Sequence, residues 1–538
     1  MTNINHKILL GAAITLASLQ QASAVPFAPA DARAMGMGGT GVSSAEVAST
    51  IRYNPALLAN TREDDHFGLK IPQIMITVAD DGGFIDEVED FDEEDNNGQT
   101  NLDNLQQVLD FASGPNGISA IKSSVDLIDA ADNAAQLDLA RGALNTSIAN
   151  SQGVIASSAG SNTPDSDLVK YSTLVADDVD DLNNKALRVN VGANVAIAIP
   201  SKKFSLALST GAQVVFSGRI KDLENDTEKM RNYATASNLY LDKVIDVQQN
   251  LDALIALKDS GTATAQELVD ATSALNSAQS ELSGFNYGGS STAEDDGDTI
   301  IFSGGEIADL ENDLNARVQM IGVGIADIGL TASRIFNIKE HDISFGITPK
   351  LQKISIFDYT QDLDSEEEFN SDDFTENQED YSAFNIDLGA AYQFGTEKQW
   401  QAGLVIKNLI GNDYESAEYK STNGVDGAIV TISPMMRAGV SHRTSWTKVA
   451  FDLDLTENDP VAFEDPTQYA AIGAELNVWR IVQLRAGYRA NLAGSDQDIM
   501  TAGIGLSPGA VHLDIGVMAN TSDIENEAGI ALEFGVEF

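Results

Sequence analysis

The chain has 538 residues, no cysteine and a formal net charge of −49 at pH 7. So acidic a composition excludes nucleic acid as a partner, because binding to phosphate needs a basic surface. The absence of cysteine excludes disulfides and thiol chemistry, while the length allows two or three soluble domains or one large barrel.

Residues 1–24 have the layout of a secretory signal peptide. Lys7 gives a positive start, residues 8–19 are mostly apolar, and Ala22-Ser23-Ala24 fits a cleavage site of small residues. The apolar run is too short for a membrane anchor, and no later stretch reaches the ~18 apolar residues that a spanning helix needs. We therefore expect an exported protein without a membrane-spanning helix.

Residues 31–60 are unusually rich in glycine and in small apolar residues. Glycine at this density indicates close backbone approach or positive φ, and a proline pushes the residue before it away from helix. The stretch is too irregular for a strand and too apolar for a free tail, which indicates a compact segment enclosed by the rest of the chain. Its candidate residues are Arg33, Gly36, Gly38, Gly39, Gly41, Tyr53, Asn54 and Pro55.

From Leu187 onward the apolar residues repeat with a period of two, which is typical of strands and not of helices. We predict about fourteen strands, most of them reaching the ~9–11 residues that a tilted membrane strand needs. They lie near residues 66–78, 187–199, 203–217, 317–335, 340–357, 381–394, 399–410, 427–442, 446–456, 468–478, 481–491, 498–506, 510–520 and 528–538.

The connections between these strands alternate in length. Short ones lie at 200–202, 337–339, 396–398, 443–445, 478–480 and 507–509, and long acidic ones at 79–186, 218–316, 358–380, 411–426, 457–467, 492–497 and 521–527. Outer-membrane barrels have this arrangement, with tight periplasmic turns and long loops outside. The predicted fold is therefore an all-β, transmembrane up-and-down barrel of antiparallel strands, with a soluble all-β protein as the alternative.

Three segments follow from this reading: a signal peptide at 1–24, a plug at 25–64 and the barrel at 65–538. The long connections 79–186 and 218–316 are expected to be partly helical extracellular insertions. Leu268, Leu275 and Leu282 fall on one helix face, a similar stripe includes Leu241 and Leu251, and Gly261 separates the two. This predicts a helical hairpin, and residues 101–150 also have helical spacing with a break at Gly114-Pro115. A short coiled coil is the alternative.

No enzymatic motif, cofactor site or metal site is expected. The acidic run 90–98 lacks the final glutamate of a twelve-residue calcium loop, so we interpret it and the run 362–380 as solvated loops. The five histidines are too far apart to form a metal-binding pair. The glycines at 36–41 lack the strand and the Lys-Ser/Thr that a nucleotide-binding loop needs.

Charged residues also fall on the polar side of the strand alternation. Facing lipid, each would cost up to a few kcal/mol, whereas a lumen tolerates them and lets them pair. Structural ion pairing is the simpler interpretation of any one residue, and a channel lining is the functional interpretation of the set. The lumen-lining candidates are Arg188, Lys350, Lys407, Arg437, Lys448, Asp452, Glu475, Arg485, Arg489, Asp514 and Glu533.

The N-terminal segment resembles the signature of the FadL superfamily of outer-membrane proteins. The resemblance lies in Ala32–Val42 (ARAMGMGGTGV) and in Tyr53-Asn54-Pro55-Ala56, and within the superfamily it is greatest to the group labelled conjugal transfer protein TraF. It implies a fourteen-stranded barrel with the N-terminal segment folded inside as a hatch. The C-terminal Phe538 resembles the signal that the barrel-assembly machinery recognises.

Two functions are compatible with this resemblance. The first is passive passage of hydrophobic or amphipathic small molecules through the outer membrane, past the hatch. The second is a structural or interaction role with a closed lumen, in which the extracellular loops contact a conjugation or cell-surface partner. Outer-membrane lipid is the expected surroundings in both cases. Apolar residues lining an extracellular cleft would favour the first, and a sealed lumen with paired charges the second.

Overall fold

The computed structural model describes most of the chain from residue 31 onward. The described residues are 31–61, 65–91, 93–94, 97–155, 166–201, 203–288, 302–303, 306–307, 315–363, 377–422, 427–458, 460, 462–463, 466–479, 481–494 and 498–538. The predicted signal peptide, residues 25–30 of the predicted plug and most of the acidic run 362–380 lie outside them. No helix among the described residues is long and apolar enough to cross a membrane.

The N-terminal segment, which we call the plug (residues 31–61), is built from short turns. Helix α1 (Ala32–Met35) begins at Asp31, whose side chain accepts a hydrogen bond from the Ala34 amide. A 3₁₀ turn at Val47–Ser49 leads into α2 (Thr50–Tyr53), and a second 3₁₀ helix follows at Pro55–Asn60. Pro55 stands at the start of that last helix, where a missing amide proton costs nothing.

Fourteen antiparallel strands close into one barrel, which confirms the predicted fold and strand number. Each strand pairs with the next along the chain, and the first closes on the last. The strands are β1 (Gly68–Asp81), β2 (Ala186–Ile199), β3 (Ser205–Lys221), β4 (Arg317–Ile338), β5 (His341–Asp362), β6 (Gln378–Phe394), β7 (Trp400–Lys407), β8 (Met435–Arg443), β9 (Thr447–Asp454), β10 (Tyr469–Val478), β11 (Val482–Asn491), β12 (Ile499–Leu506), β13 (Val511–Asn520) and β14 (Glu527–Glu537).

The six shortest connections all lie at one end of the barrel, which we call the short-turn end; the opposite end is the long-loop end. The outward face is apolar, with residues such as Leu208, Leu330 and Leu351 left 46–62% exposed. In water this belt would be unfavourable, whereas a bilayer accepts it. Near the short-turn end, aromatic rings stack from strand to strand, as in Phe394 on Trp400, which is typical of a membrane–water interface.

In the described parts of two connections, seven helices form a helical domain at the long-loop end. They are α3 (Phe84–Phe91), α4 (Asn101–Ser113), α5 (Ile118–Asp129), α6 (Ala134–Ser151), α7 (Asp167–Asp181), α8 (Leu223–Ser260) and α9 (Ala265–Ser283). The predicted hairpin around Gly261 is confirmed as α8 and α9, and the predicted helical stretch 101–150 consists of three helices. The sequence prediction missed α3 and α7. Helices α4 to α9 share one apolar core.

One predicted strand is wrong in part. Residues 427–442 do not form a single barrel strand, because Ile429–Ile432 pairs with Asn412–Glu415 in a separate two-stranded hairpin. Barrel strand β8 begins only at Met435, after Pro434, which has no amide proton for strand pairing. The hairpin, with the short helix α10 (Ala417–Ser421) at its tip, folds back over the inner wall of the barrel.

Candidate functional site

The plug lies inside the barrel with almost no exposed surface. Met35, Met37, Tyr53, Leu57 and Leu58 are among its most deeply buried side chains, each at most 2% exposed. The apolar clusters that bury it are completed by the wall, since the cluster around Ile51 and Leu58 includes alanines of β2 and β3. The plug therefore has no core of its own and depends on the strands around it.

Wall glycines bring the plug backbone into direct contact with the strands. We call this set the glycine track: Gly346, Gly389, Gly403, Gly473, Gly487, Gly503 and Gly516. Six of them pair across neighbouring strands, as Gly346 with Gly389, Gly473 with Gly487, and Gly503 with Gly516. A Cβ added at Gly473 would lie 2.2 Å from the Met37 carbonyl oxygen, and one at Gly516 would lie 2.3 Å from the Ala32 carbonyl oxygen.

Glycines of the plug match this track. Gly38 and Gly39 adopt φ of 71° and 83°, a conformation that other residues rarely take. The Gly38 amide donates a hydrogen bond of 2.9 Å to the Thr501 hydroxyl. A Cβ on Gly36 would lie 2.9 Å from the backbone of Gly503. The glycine-rich sequence thus serves close backbone approach, as its density predicts.

Polar contacts fix the plug to the wall at several points. Asp452 Oδ2 accepts hydrogen bonds from the amides of Gly41 and Val42 at 2.7 and 2.9 Å. The Asn54 side-chain amide donates to the Val42 carbonyl within the plug and to the Ala390 carbonyl of the wall. These contacts hold the two halves of the plug against one side of the barrel, the strands β6 to β9.

Two buried charge networks join the plug to the wall closer to the short-turn end. Arg33 Nε lies 2.9 Å from Glu475, which also pairs with Arg485 at 2.8 Å. Lys70 of β1 bridges Glu533 of β14 and the Ser49 hydroxyl of the plug. A buried charge that loses its partner is costly, so these networks strongly favour the plugged arrangement.

Further ion pairs lie on the inner wall towards the long-loop end. Lys350 pairs with Asp387 at 2.9 Å on neighbouring strands. Arg437 makes a two-point contact with Asp454, with Nη2 and Oδ2 2.9 Å apart. Arg52 of the plug contacts Asp327 at 3.0 Å. Paired charges thus occupy the middle of the barrel.

All eleven predicted lumen residues lie on inward positions of their strands. Nine are buried, and Arg188 and Lys407 are half-buried. Beyond the contacts above, Lys448 reaches Glu46 and the Ser44 carbonyl of the plug, Arg489 pairs with Glu527, and Asp514 pairs with Arg485. The structure brings the set together in one interior, while its role as a channel lining stays a prediction.

The C-terminal Phe538 follows β14 at the short-turn end and is 60% exposed. Its carbonyl accepts hydrogen bonds from the amides of His66 and Phe67, and its ring stacks on Phe67 with centroids 5.2 Å apart. The residue thus closes the seam between first and last strands. Its recognition by the barrel-assembly machinery stays a prediction.

The inner wall changes character towards the long-loop end. Val215, Val323 and Ile356 sit side by side on β3, β4 and β5, and Ile325 pairs with Ile354 one step below. We call these five residues the apolar wall. They share the inward face with residues that contact the plug lower on the same strands, such as Ser333 and Gly346.

The hairpin 412–432 covers the apolar wall. Its Tyr414, Val430 and Ile432 pack against the wall in one buried cluster, and Ser416 donates a hydrogen bond to Asp358 above it. The sequence prediction missed this arrangement because the hairpin strands have only four residues each. A signal was present in the inward alternation of β4, where Ile321, Val323 and Ile325 are apolar and an aqueous lumen would favour polar residues.

Comparison with known proteins places the chain among transfer-operon proteins. A family model described as "F plasmid transfer operon, TraF, protein" matches residues 51–454, which is more than half of the chain. No curated protein matches the sequence.

Several solved structures are similar in architecture. The Ralstonia pickettii toluene transporter TbuX matches with 10% identity over 95% of this chain and 100% of its own, with a TM-score of 0.39. A Pseudomonas aeruginosa FadL homologue matches with 11% identity over 96% and 99%, and the monoaromatic hydrocarbon channel CymD with 10% over 96% and 99%, both with a TM-score of 0.41.

Proposed function

The chain belongs to the family of F plasmid transfer operon TraF proteins, and on that premise we propose that it passes hydrophobic or amphipathic small molecules across the outer membrane. The observation that carries this proposal is the apolar wall inside the barrel. Val323 and Ile354 give the inward face an apolar surface where paired polar groups lie elsewhere, and this surface now packs against the hairpin. An apolar molecule could take the place of the hairpin side chains that now cover them.

The proposed route has two barriers of different chemistry. At the long-loop end the hairpin 412–432 contacts the wall mainly through apolar side chains, so an apolar molecule can compete for the same surface. Below it, the plug is held by hydrogen bonds and ion pairs. Passage then requires the hairpin to open first and the plug to shift afterwards.

A pair of neighbouring valines tests the wall. Val215 is 2% exposed and faces the lumen, while Val214 is 46% exposed on the outer face of the same strand. In proteoliposomes, Val215→Thr should slow uptake of a fluorescent hydrophobic probe because the hydroxyl makes the wall polar. Val214→Thr should leave uptake unchanged. Equal uptake by both variants, or no uptake by the unaltered protein, would contradict the proposal.

Deletion of Met35–Pro55 tests the plug separately. If the plug blocks the route, the deleted protein should pass small polar solutes and show raised ion conductance in planar bilayers. The control is heat-modifiable migration on SDS gels, which reports a correctly folded barrel. A folded, inserted barrel with unchanged conductance would exclude the plug as the barrier.

A second function is favoured by the helical domain, which is much larger than a loop needs to be. It has its own apolar core, and leucines such as Leu102, Leu139 and Leu239 remain exposed on its surface. We infer a contact role for it towards a conjugation or cell-surface partner. Replacing residues 84–181 and 223–283 by short turns should abolish that contact and leave probe uptake intact, whereas loss of uptake alone would contradict this role.

A further inference from the structure

We propose that the barrel holds a divalent transition-metal ion at His512, Asp514 and Glu533, beneath the plug. His512 and Asp514 are two residues apart on β13, so both side chains point inward, and Glu533 pairs with Asp514 from β14. One ligand atom from each of the three lies within 4.8 Å of the others. An imidazole nitrogen with carboxylate oxygens is a donor set that suits Zn²⁺ and related ions.

The imidazole of His512 supports the metal site independently of this spacing. The side chain is buried, with 8% relative exposure, and its Nε2 has no hydrogen-bond partner among the described residues. Nε2 lies 3.3 Å from Glu533 Oε1, where it forms an ion pair only if the ring is protonated. Gly535 of the facing strand leaves room for the ring, because a Cβ there would come within 2.3 Å of it. In the neutral tautomer with its proton on Nδ1, Nε2 offers a lone pair to an ion held between the ring and the two carboxylates.

Neighbouring groups orient the carboxylates as outer partners orient metal ligands. Gln73 and Lys70 contact Glu533, and Arg485 contacts Asp514 through Oδ1. Hydrogen bonds of this kind fix ligand direction and support metal affinity. Zn²⁺ bonds of ~2.0–2.2 Å require the donor atoms to be somewhat closer than they lie here, so small side-chain rotations would complete the site.

Lys70 and Arg485 are the two cations beside the site, and acidic side chains outnumber the cationic ones around it. The adjoining cavity, of ≈ 290 Å³, is lined by five carboxylates and three cationic side chains. A divalent ion would balance this excess. One of the five carboxylates is that of Glu537, whose Oε1 is buried without a hydrogen-bond partner among the described residues. Ser507 and Gly509 of a short turn also line the cavity, so ions can reach the site from the short-turn end.

Isothermal titration of the full-length protein in detergent with Zn²⁺ tests the proposal. We expect one ion per chain and at least a tenfold weaker affinity for His512→Gln, because loss of a direct ligand should cost no less than loss of an outer partner. Co²⁺ should give the absorption of a tetrahedral or five-coordinate site in the unaltered protein, and this signal should be lost in the variant.

His341→Gln is the matched control, since His341 is exposed at the same end and contacts only Tyr392 through its ring nitrogen among the hydrogen bonds described. It should bind Zn²⁺ like the unaltered protein. If His512→Gln does not fold, judged by heat-modifiable migration, Asp514→Asn replaces it with the same expectation. No Zn²⁺ binding by the unaltered protein, or unchanged binding by a folded site variant, would overturn the proposal.

Discussion

The plug and the helical domain are both additions to the same barrel, yet they are stabilised in opposite ways. Helices α4 to α9 bury a continuous set of leucines, valines and isoleucines against one another, so the helical domain has its own core. The plug has only small apolar clusters, and each one it takes part in is completed by strand residues or by the surrounding wall. The helical domain therefore packs around its own core, whereas the plug packs against the barrel wall.

The plug and the helical domain should therefore be destabilised by different mutations. A segment with no core of its own is destabilised by changes in the wall, even at a position as far from it in sequence as Glu533, the partner of Lys70. A domain with its own core is destabilised by mutations in that core, and the stability of the barrel should then stay unchanged.

The largest effect is expected at Lys70. Lys70→Met removes the cation from Glu533, which is 1% exposed, and also the contact with Ser49 of the plug. Breaking a buried ion pair from one side costs about 3–5 kcal/mol. Urea unfolding of the protein in lipid vesicles should show this decrease in the free energy of unfolding.

Lys353→Met is the control for Lys70, because the side chains of Lys353 and Asp380 are 60% and 46% exposed. An exposed pair of this kind contributes little to stability, because water and salt screen the two charges. Similar losses in both variants would mean that the buried network does not hold the plug.

A core leucine of the helical domain should come next. Leu251→Ala on α8 removes a fully buried side chain and should destabilise the helical domain by about 2–5 kcal/mol. Circular dichroism on heating should show helix lost at lower temperature while the barrel keeps its heat-modifiable migration. Leu239→Ala on the same helix removes a 41% exposed side chain and should have little effect. Loss of the barrel together with the helices would contradict an independent core.

The same physics explains what the sequence could predict. Strand alternation and helix stripes are local patterns, so the number of barrel strands, the place of most of them and the α8–α9 hairpin follow from them. The TraF resemblance rests on two short local motifs, at 32–42 and 53–56, and a family model that matches residues 51–454 confirms the family. The inward charges follow from the alternation as well, although their partners do not.

The features that local sequence patterns do not predict depend on contacts between residues far apart in the chain. Asp452 accepts two plug amides from more than 400 positions away, and no local pattern indicates that contact. The sequence of Ile429–Ile432 predicts a barrel strand because it alternates as a wall strand does, although in the structure it belongs to the hairpin 412–432. Histidine pairs at helical spacing do not indicate the set of His512, Asp514 and Glu533, because residues on one face of a strand lie two positions apart and Glu533 comes from another strand.

The glycine track gives the smallest of the three effects and the most direct test of the plug's dependence on the wall. At Gly487 an added Cβ would lie 2.2 Å from the Gly38 amide nitrogen and 2.4 Å from the Met37 carbonyl carbon. Both atoms are backbone, so they cannot rotate away, and Gly487→Ala should cost about 1–3 kcal/mol through overpacking.

Gly192 of β2 is the matched control, because a Cβ there meets only the end of Met75, at 3.5 Å. Gly192→Ala should be neutral or stabilise slightly, since alanine restricts the unfolded chain. In unfolding titrations, equal effects at the two glycines would show that strand glycine itself, and not the plug backbone, sets the cost; a selective loss at Gly487, with faster hydrogen exchange in residues 32–42, would show that the wall determines the plug.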